Sequence, residues 1–223
     1  MKTLIVPDVH ERYSQLLKIE EKYFADVDRV VMLGDFFDSF GHDINLVKLI
    51  ATWILGHVFD PKFTFLFGNH DHHYAFKRTG FSSGYQEDTQ RLLNEEFSSE
   101  IWRKFKIWTE VGPYLVSHAG FNKHTFYLKD EEEKAINAAF SGIKHPMWDA
   151  GFSVGGIVPW GGPTWLRWWE LDDVGQKQIV GHTAHKEPQT DINGNVCLDT
   201  NLKHIAIYDD ETEELNIEAI GCN

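Results

Sequence analysis

Three hydrophobic runs, at residues 3–6, 29–33 and 63–67, each stop abruptly at a cluster of polar side chains with lone pairs to offer. Asp8 and His10 follow the first, Gly34-Asp35 with Asp38 the second, and Gly68-Asn69-His70-Asp71 the third. Apolar residues at helical spacing lie between the runs, at 13–24 (Leu16, Leu17, Ile19, Tyr23, Phe24) and at 44–58, where Asp43 is a plausible N-cap. The pattern predicts strand, helix, strand, helix, strand. Such a unit builds a sheet whose ligands sit beyond the carboxyl ends of its strands. Two later clusters obey the same rule: Ser117-His118-Ala119-Gly120 and Gly181-His182-Thr183-Ala184-His185. Five such strand ends can converge on one crevice, and that convergence is the expectation.

The rest of the chain is read more coarsely. Residues 85–108 look helical, 106–111 and 114–117 flank Gly112-Pro113 like hairpin arms, and 178–180, 196–199, 204–208 and 214–220 are short strand candidates. Residues 129–140 read as a solvated helix with acids near its start. No internal repeat or low-complexity tract interrupts the pattern. At 223 residues and 42% hydrophobic, the chain can form one sizeable core, so a single domain over 1–223 is expected.

Charge and cysteine content narrow the function classes. With 34 acidic against 21 basic residues the formal net charge is −13, which repels duplex nucleic acid and anionic membranes. Cys197 and Cys222 are too few for a disulfide framework or a thiolate zinc site. The N-terminal segment enters a strand at once, without a signal peptide's apolar stretch, and no run reaches membrane-spanning length. A soluble, cytoplasmic protein is expected.

The clustered residue types suit metal ions. Carboxylate oxygens, imidazole nitrogens and an amide oxygen, without thiolate, favour borderline or fairly hard divalent ions: manganese first, with iron or zinc also suited. The glycines before Asp35, Asn69 and His182 permit a sharp exit from a strand and close approach of backbone to a ligand.

Taken in order, "DVH", "GDFFD", "GNHD", "SHAG" and "GHTAH" resemble the calcineurin-type metallophosphoesterase superfamily, nearest to small bacterial and phage members of its phosphoprotein phosphatase branch. The later "NVCLDT" extends the likeness to Thr200. The resemblance implies an α/β sandwich of two mixed β-sheets flanked by α-helices, with a site for two divalent ions along one edge. It implies that Asp8, His10 and Asp35 hold one metal, that Asp35 bridges to a second, and that Asn69, His118 and His182 complete the second site. Two metals about 3.5–4 Å apart lower the pKa of a shared water and clamp the phosphoryl group it attacks. The resemblance also implies that Asp38 orients His70, which protonates or stabilises the leaving oxygen.

Two departures from the branch bear on substrate. The acid at Asp38 is usually followed there by a phosphate-binding arginine, and here Ser39 follows. Arg167 lies where the branch supplies another such arginine; Asn69 and Arg78 are further candidates for phosphate contact. Asp71 stands where many protein phosphatases carry Glu and bacterial diadenosine tetraphosphatases carry Asp.

Several residues keep two readings. His185, three positions beyond His182, is either a ligand or a bystander, and His72 and His73 are expected at the rim or behind the ligands. His42, His57, His124, His145 and His204 take a surface or core reading. Trp148, Trp160, Trp165, Trp168 and Trp169 are read as an aromatic core, with a stacking wall for a nucleobase as the alternative. Segments 74–108 and 121–176 would wall the cleft and set specificity.

The expected activity is hydrolysis of phosphomonoesters, with phosphorylated Ser or Thr in proteins as the first substrate class. Diadenosine tetraphosphate or another nucleotide is the alternative, and the partner is accordingly a phosphorylated protein or a nucleotide. A metal-stabilised binding module without turnover is less consistent with so full a ligand set, and a nuclease is disfavoured by the acidic charge. Oligomeric state is left open by the sequence.

Overall fold

The computed structural model describes residues 1–39, 41–76 and 82–221. Arg78 and Cys222 lie outside the described residues. The first sheet contains β1 (Lys2–Val6), β2 (Arg29–Met32), β3 (Phe63–Phe65), β9 (His204–Asp209) and β10 (Glu214–Ala219), in the order β10-β9-β1-β2-β3. Within it β1, β2 and β3 run parallel, while β9 is antiparallel to both β1 and β10.

The second sheet contains β4 (Trp108–Val111), β5 (Tyr114–Ser117), β6 (Lys177–Val180), β7 (Gln189–Thr190) and β8 (Val196–Cys197), in the order β4-β5-β6-β8-β7. Here β4 and β5 form the expected hairpin, β5, β6 and β8 are parallel, and β7 is antiparallel to β8.

Side-chain alternation explains why the early strands read as continuous apolar runs. Ile5, Val31, Leu33 and Leu66 from the first sheet pack with Val116, Ile179, Val196 and Leu198 from the second, which forms the sandwich interior. Their neighbours Leu4, Val6, Val30, Met32 and Phe65 face a larger core on the other side of the first sheet. That core is covered by α1 (Tyr13–Tyr23), through Leu16, Ile19 and Tyr23, and by α2 (Ile44–His57), through Val47, Ile50, Ala51, Trp53 and Ile54. Strands buried on both faces have no polar alternation to show. Burial of each such Leu or Ile contributes about 1.5–3 kcal/mol relative to exposure. Asp43 caps α2, its side chain accepting the Asn45 N–H at 2.9 Å.

Two expected helices differ in the structure. Residues 85–108 hold α4 (Glu87–Glu96) and α5 (Ser99–Trp102), broken where Phe97 turns extended to bury its ring, and Trp108 already belongs to β4. Residues 129–140 start in a 3-10 turn, Phe126–Glu131, before α6 (Glu132–Phe140), which buries Ala135 and Ala139 and is therefore only partly solvated. Among the described residues no helix is long and apolar enough to cross a membrane.

Candidate active site

Each parallel strand delivers its polar cluster at its carboxyl end. Asp8 and His10 follow β1, Asp35 and Asp38 follow β2, His118 follows β5 and His182 follows β6. Asn69 and His70 open α3 (Asn69–Ala75), just beyond β3. Ligating atoms of Asp8, His10 and Asp35 lie within 4.8 Å of one another, as do those of Asp35, His118 and His182. Asp35 belongs to both groups. Its Oδ2 is 3.5 Å from His10 Nε2 and 3.3 Å from His118 Nε2, while His118 Nε2 is 3.1 Å from Asn69 Oδ1 and 3.2 Å from His182 Nδ1.

The hydrogen bonds behind these atoms decide which nitrogen is offered. His10 Nδ1 donates to the Asp38 carbonyl at 2.8 Å, and His118 Nδ1 donates to the Leu33 carbonyl at 2.9 Å, because a carbonyl oxygen can only accept. Both rings therefore turn Nε2 toward Asp35. Metal-bound histidines are commonly held in this way, by a donor bond from the other ring nitrogen. His182 Nε2 is buried without a hydrogen-bond partner among the described residues.

The charges point the same way. Burial, then the charges of Asp199 and Asp35, push Asp8 well above the usual carboxylate range. Burial would also raise Asp35, but the His118, His70 and His10 imidazoles outweigh it and hold Asp35 well below that range. Burial would lower His118, yet Asp35 and then Asp8 lift it to about 10. Burial and the His118 charge hold His182 well below the usual histidine range. The protein thus favours positive charge among these carboxylates, and its residues fit two divalent cations sharing Asp35.

Close backbone approach is part of the construction. A Cβ on Gly68 would overlap Asp35 Oδ1, and one on Gly181 would overlap Asp8 Oδ1. The neighbouring amides use that space: the His70 N–H donates to Asp35 Oδ1 at 2.9 Å, and the His182 N–H donates to Asp8 Oδ2 at 2.9 Å. His10, Asp35, Asp38 and His182 all have left-handed backbone, with φ of 43°, 48°, 63° and 64°. Such conformations cost on the order of 1 kcal/mol or more each in non-glycine residues and persist where surrounding contacts enforce them.

Beside the candidate ligands, His70 Nδ1 lies 3.0 Å from Asp38 Oδ2 and donates to it, leaving Nε2 for the cleft. The Tyr74 hydroxyl donates to Asp38 Oδ1. His73 Nε2 is 2.9 Å from Asp38 Oδ2 but out of hydrogen-bond alignment. His73 and His72 are both buried, so neither is a rim residue: α3 turns them inward. His185 is outside both ligand groups, its N–H bonded to the Asp199 carbonyl.

A cleft of ≈ 430 Å³ opens over the site, bounded by His10, Asp38, Ser39, His70, Arg167 and His182 among others. Arg167 is half-buried and has no side-chain acceptor among the described residues. The tryptophans divide. Trp148 is buried in the core, Trp165 packs near His72 and His182, Trp160 stacks on His124, and Trp169 is exposed. None of the five is among the described residues bounding the cleft.

Three residues at the site were not singled out from sequence: Arg12 and Asp199 also border the cleft, and buried Glu11 accepts the Ser39 N–H and hydroxyl. Asp71, noted in a strand-end cluster and as a departure, binds backbone. Asp199 follows β8, a further parallel strand, so the strand-end rule could have found it.

A family model described as calcineurin-like phosphoesterase matches residues 1–204. Among solved structures, a cold-active protein-tyrosine phosphatase of a psychrophilic Shewanella sp. is similar with a TM-score of 0.65 at 17% identity, covering 99% of this chain and 80% of that one. A protein serine/threonine phosphatase from Saccharomyces cerevisiae gives 0.59 at 16%, covering 100% and 80%. A proposed diadenosine tetraphosphatase gives 0.51 at 16%, covering 98% and 93%. Likeness at such identities speaks for the fold. No curated protein matches the chain in sequence.

Proposed function

Because this chain belongs to the calcineurin-like phosphoesterases, hydrolases of phosphoester bonds, we propose that it is a dimetal phosphomonoesterase acting on phosphorylated Ser or Thr of proteins. The observation that carries the reading is the sharing of Asp35 Oδ2 between the His10 and His118 nitrogens, at the meeting of two ligand groups. Asp8, His10 and Asp35 would hold one ion, and Asp35, Asn69, His118 and His182 the other. When bound, two such ions, manganese first, supply Lewis acidity that activates a water and neutralises phosphoryl charge.

The chain's own groups do the remaining work. Arg167 brings a guanidinium to the cleft, suited to two phosphate oxygens at once, while Asn69, the further candidate, is buried with its Oδ1 turned to His118. That local positive charge matters in a protein of net charge −13. His70, its Nδ1–H held by Asp38, presents Nε2 to the leaving oxygen and gives it a proton. The acid role is supported by electrostatics: burial would lower His70, but Asp35 and then Asp38 raise it above the usual histidine value, which favours the protonated ring. Segments 74–108 and 121–176 contribute Gln86 and Arg167 to the cleft, which supports their role in specificity.

A phosphorus NMR time course tests the reading. Manganese-loaded protein receives a phosphoserine peptide and diadenosine tetraphosphate together, with Asp35→Asn as control. Inorganic phosphate from the peptide is expected first. Earlier appearance of nucleotide products would move the substrate class to nucleotide anhydrides, and no turnover of either would sink the proposal.

A further inference from the structure

We propose that Arg12 is a second phosphate-binding guanidinium, taking over the clamp that Ser39 does not provide. The inference rests on the phosphomonoesterase reading and names a residue that the motifs do not assign. Arg12 follows His10 by two positions, on the turn between β1 and α1, and borders the same cleft as Arg167, Ser39 and His70.

Its donors are only partly used. A guanidinium carries five N–H groups. Arg12 spends one on the Val9 carbonyl, a long contact of 3.4 Å, and one on Asn201 Oδ1 at 2.7 Å. The other donors have no acceptor among the described residues, and no carboxylate oxygen there comes within ion-pair distance. Asp199 and then Asp8 are near enough to act on Arg12 through their charges, but neither forms an ion pair with it, and the Asp199 carboxylate accepts the Asn201 N–H. A half-buried cation left unpaired is costly unless an anion completes it.

The position is suitable as well. Glu11, immediately before Arg12, holds Ser39 by both its N–H, at 3.2 Å, and its hydroxyl, at 2.8 Å. Arg12, the next residue, borders the same cleft as Ser39. Asn201, with φ of 61°, reaches across from beyond β8 and fixes one arm of the fork. A guanidinium steered from one side, with donors left over, suits the oxygens of a phosphate dianion.

The test is calorimetric titration of inorganic phosphate into manganese-saturated wild type, Arg12→Ala, Arg12→Lys and Asn201→Ala, with metal content measured on each and kinetics on a phosphoserine peptide. Arg12→Ala is expected to weaken phosphate binding at least tenfold and to raise KM, with two ions retained. Arg12→Lys should recover part of the affinity, and Ser39→Arg added to Arg12→Ala should restore more. Absent phosphate binding by wild type, or equal binding by Arg12→Ala, overturns the proposal. So does phosphate affinity in Arg12→Ala that returns on raising manganese, because Arg12 would then merely support Asp8. Phosphate binding is read independently of turnover, so failure of the substrate assignment and failure of the Arg12 assignment are separately visible.

Discussion

Asp71 Oδ2 accepts the backbone N–H of Asp35 at 2.7 Å, so one buried carboxylate positions another. The same oxygen accepts the Gly68 N–H at 2.9 Å, and Oδ1 accepts that of Phe36 at 2.9 Å. Asp71 therefore ties the end of β2 to the end of β3 underneath Asp35, the carboxylate that both candidate ligand groups share. Asp71 serves this bracing and is not among the described residues bounding the cleft. Asp71→Ala should leave three buried donors unsatisfied and cost about 2–4 kcal/mol in urea unfolding. Metal affinity should fall with it, and an unchanged unfolding midpoint would contradict the bracing role.

Gly181→Ala isolates the other end of the site. The added methyl would overlap Asp8 Oδ1, part of the carboxylate that accepts the His182 N–H. Turnover should drop at least a hundredfold with little change in far-UV circular dichroism. Near wild-type turnover would mean that Asp8 does not need its present position.

His70→Asn and Asp38→Asn separate chemistry from metal binding, because neither residue belongs to a ligand group. At saturating manganese, His70→Asn should lose at least a hundredfold in kcat, the scale of general acid catalysis. Asp38→Asn should lose less, because His70 remains and only its anchor changes. Metal content should stay at the wild-type level in both, and a loss of metal would remove the acid assignment.

A pH effect is expected outside the metal cluster. His42 Nε2 lies 3.1 Å from Asp88 Oδ2, and its Nδ1 is 3.6 Å from Glu11 Oε1. Burial would lower His42, but the hydrogen bond and charge of Asp88, followed by Glu11, raise it above the usual value of 6.5. A raised folded-state pKa stabilises the protein fully below about pH 6.5, and that contribution is lost as pH rises through the folded value. NMR titration of His42 should show a raised midpoint that falls in Asp88→Asn, together with the matching slope of stability against pH. An unaltered midpoint in the variant would show that Asp88 is not the cause.

The sequence exposed the strand-end clusters because two physical requirements coincide there. Strands buried on both faces read as unbroken apolar runs, and polar side chains just past them have nowhere to go but the strand ends. Arg12 and Glu11 lacked such a signal, because their meaning lies in partners from other elements, and Asp71, though in a strand-end cluster, hid its backbone partners for the same reason. Glu11 reaches Ser39 and His42, and Arg12 meets Asn201, far away in the chain. The left-handed backbone at His10, Asp35, Asp38 and His182 was equally hidden, because tertiary contacts impose it against local preference. The break between α4 and α5 also escaped notice, since Phe97 leaves the helix only to reach a core that local periodicity does not reveal.

The central claim, that Asp35 joins two metal groups, is tested most directly by calorimetric titration of Mn²⁺ into metal-stripped protein. Wild type should take up two equivalents, and Asp35→Asn no more than one, because Oδ2 serves both groups. One equivalent in wild type, or two at unchanged affinity in Asp35→Asn, would contradict it.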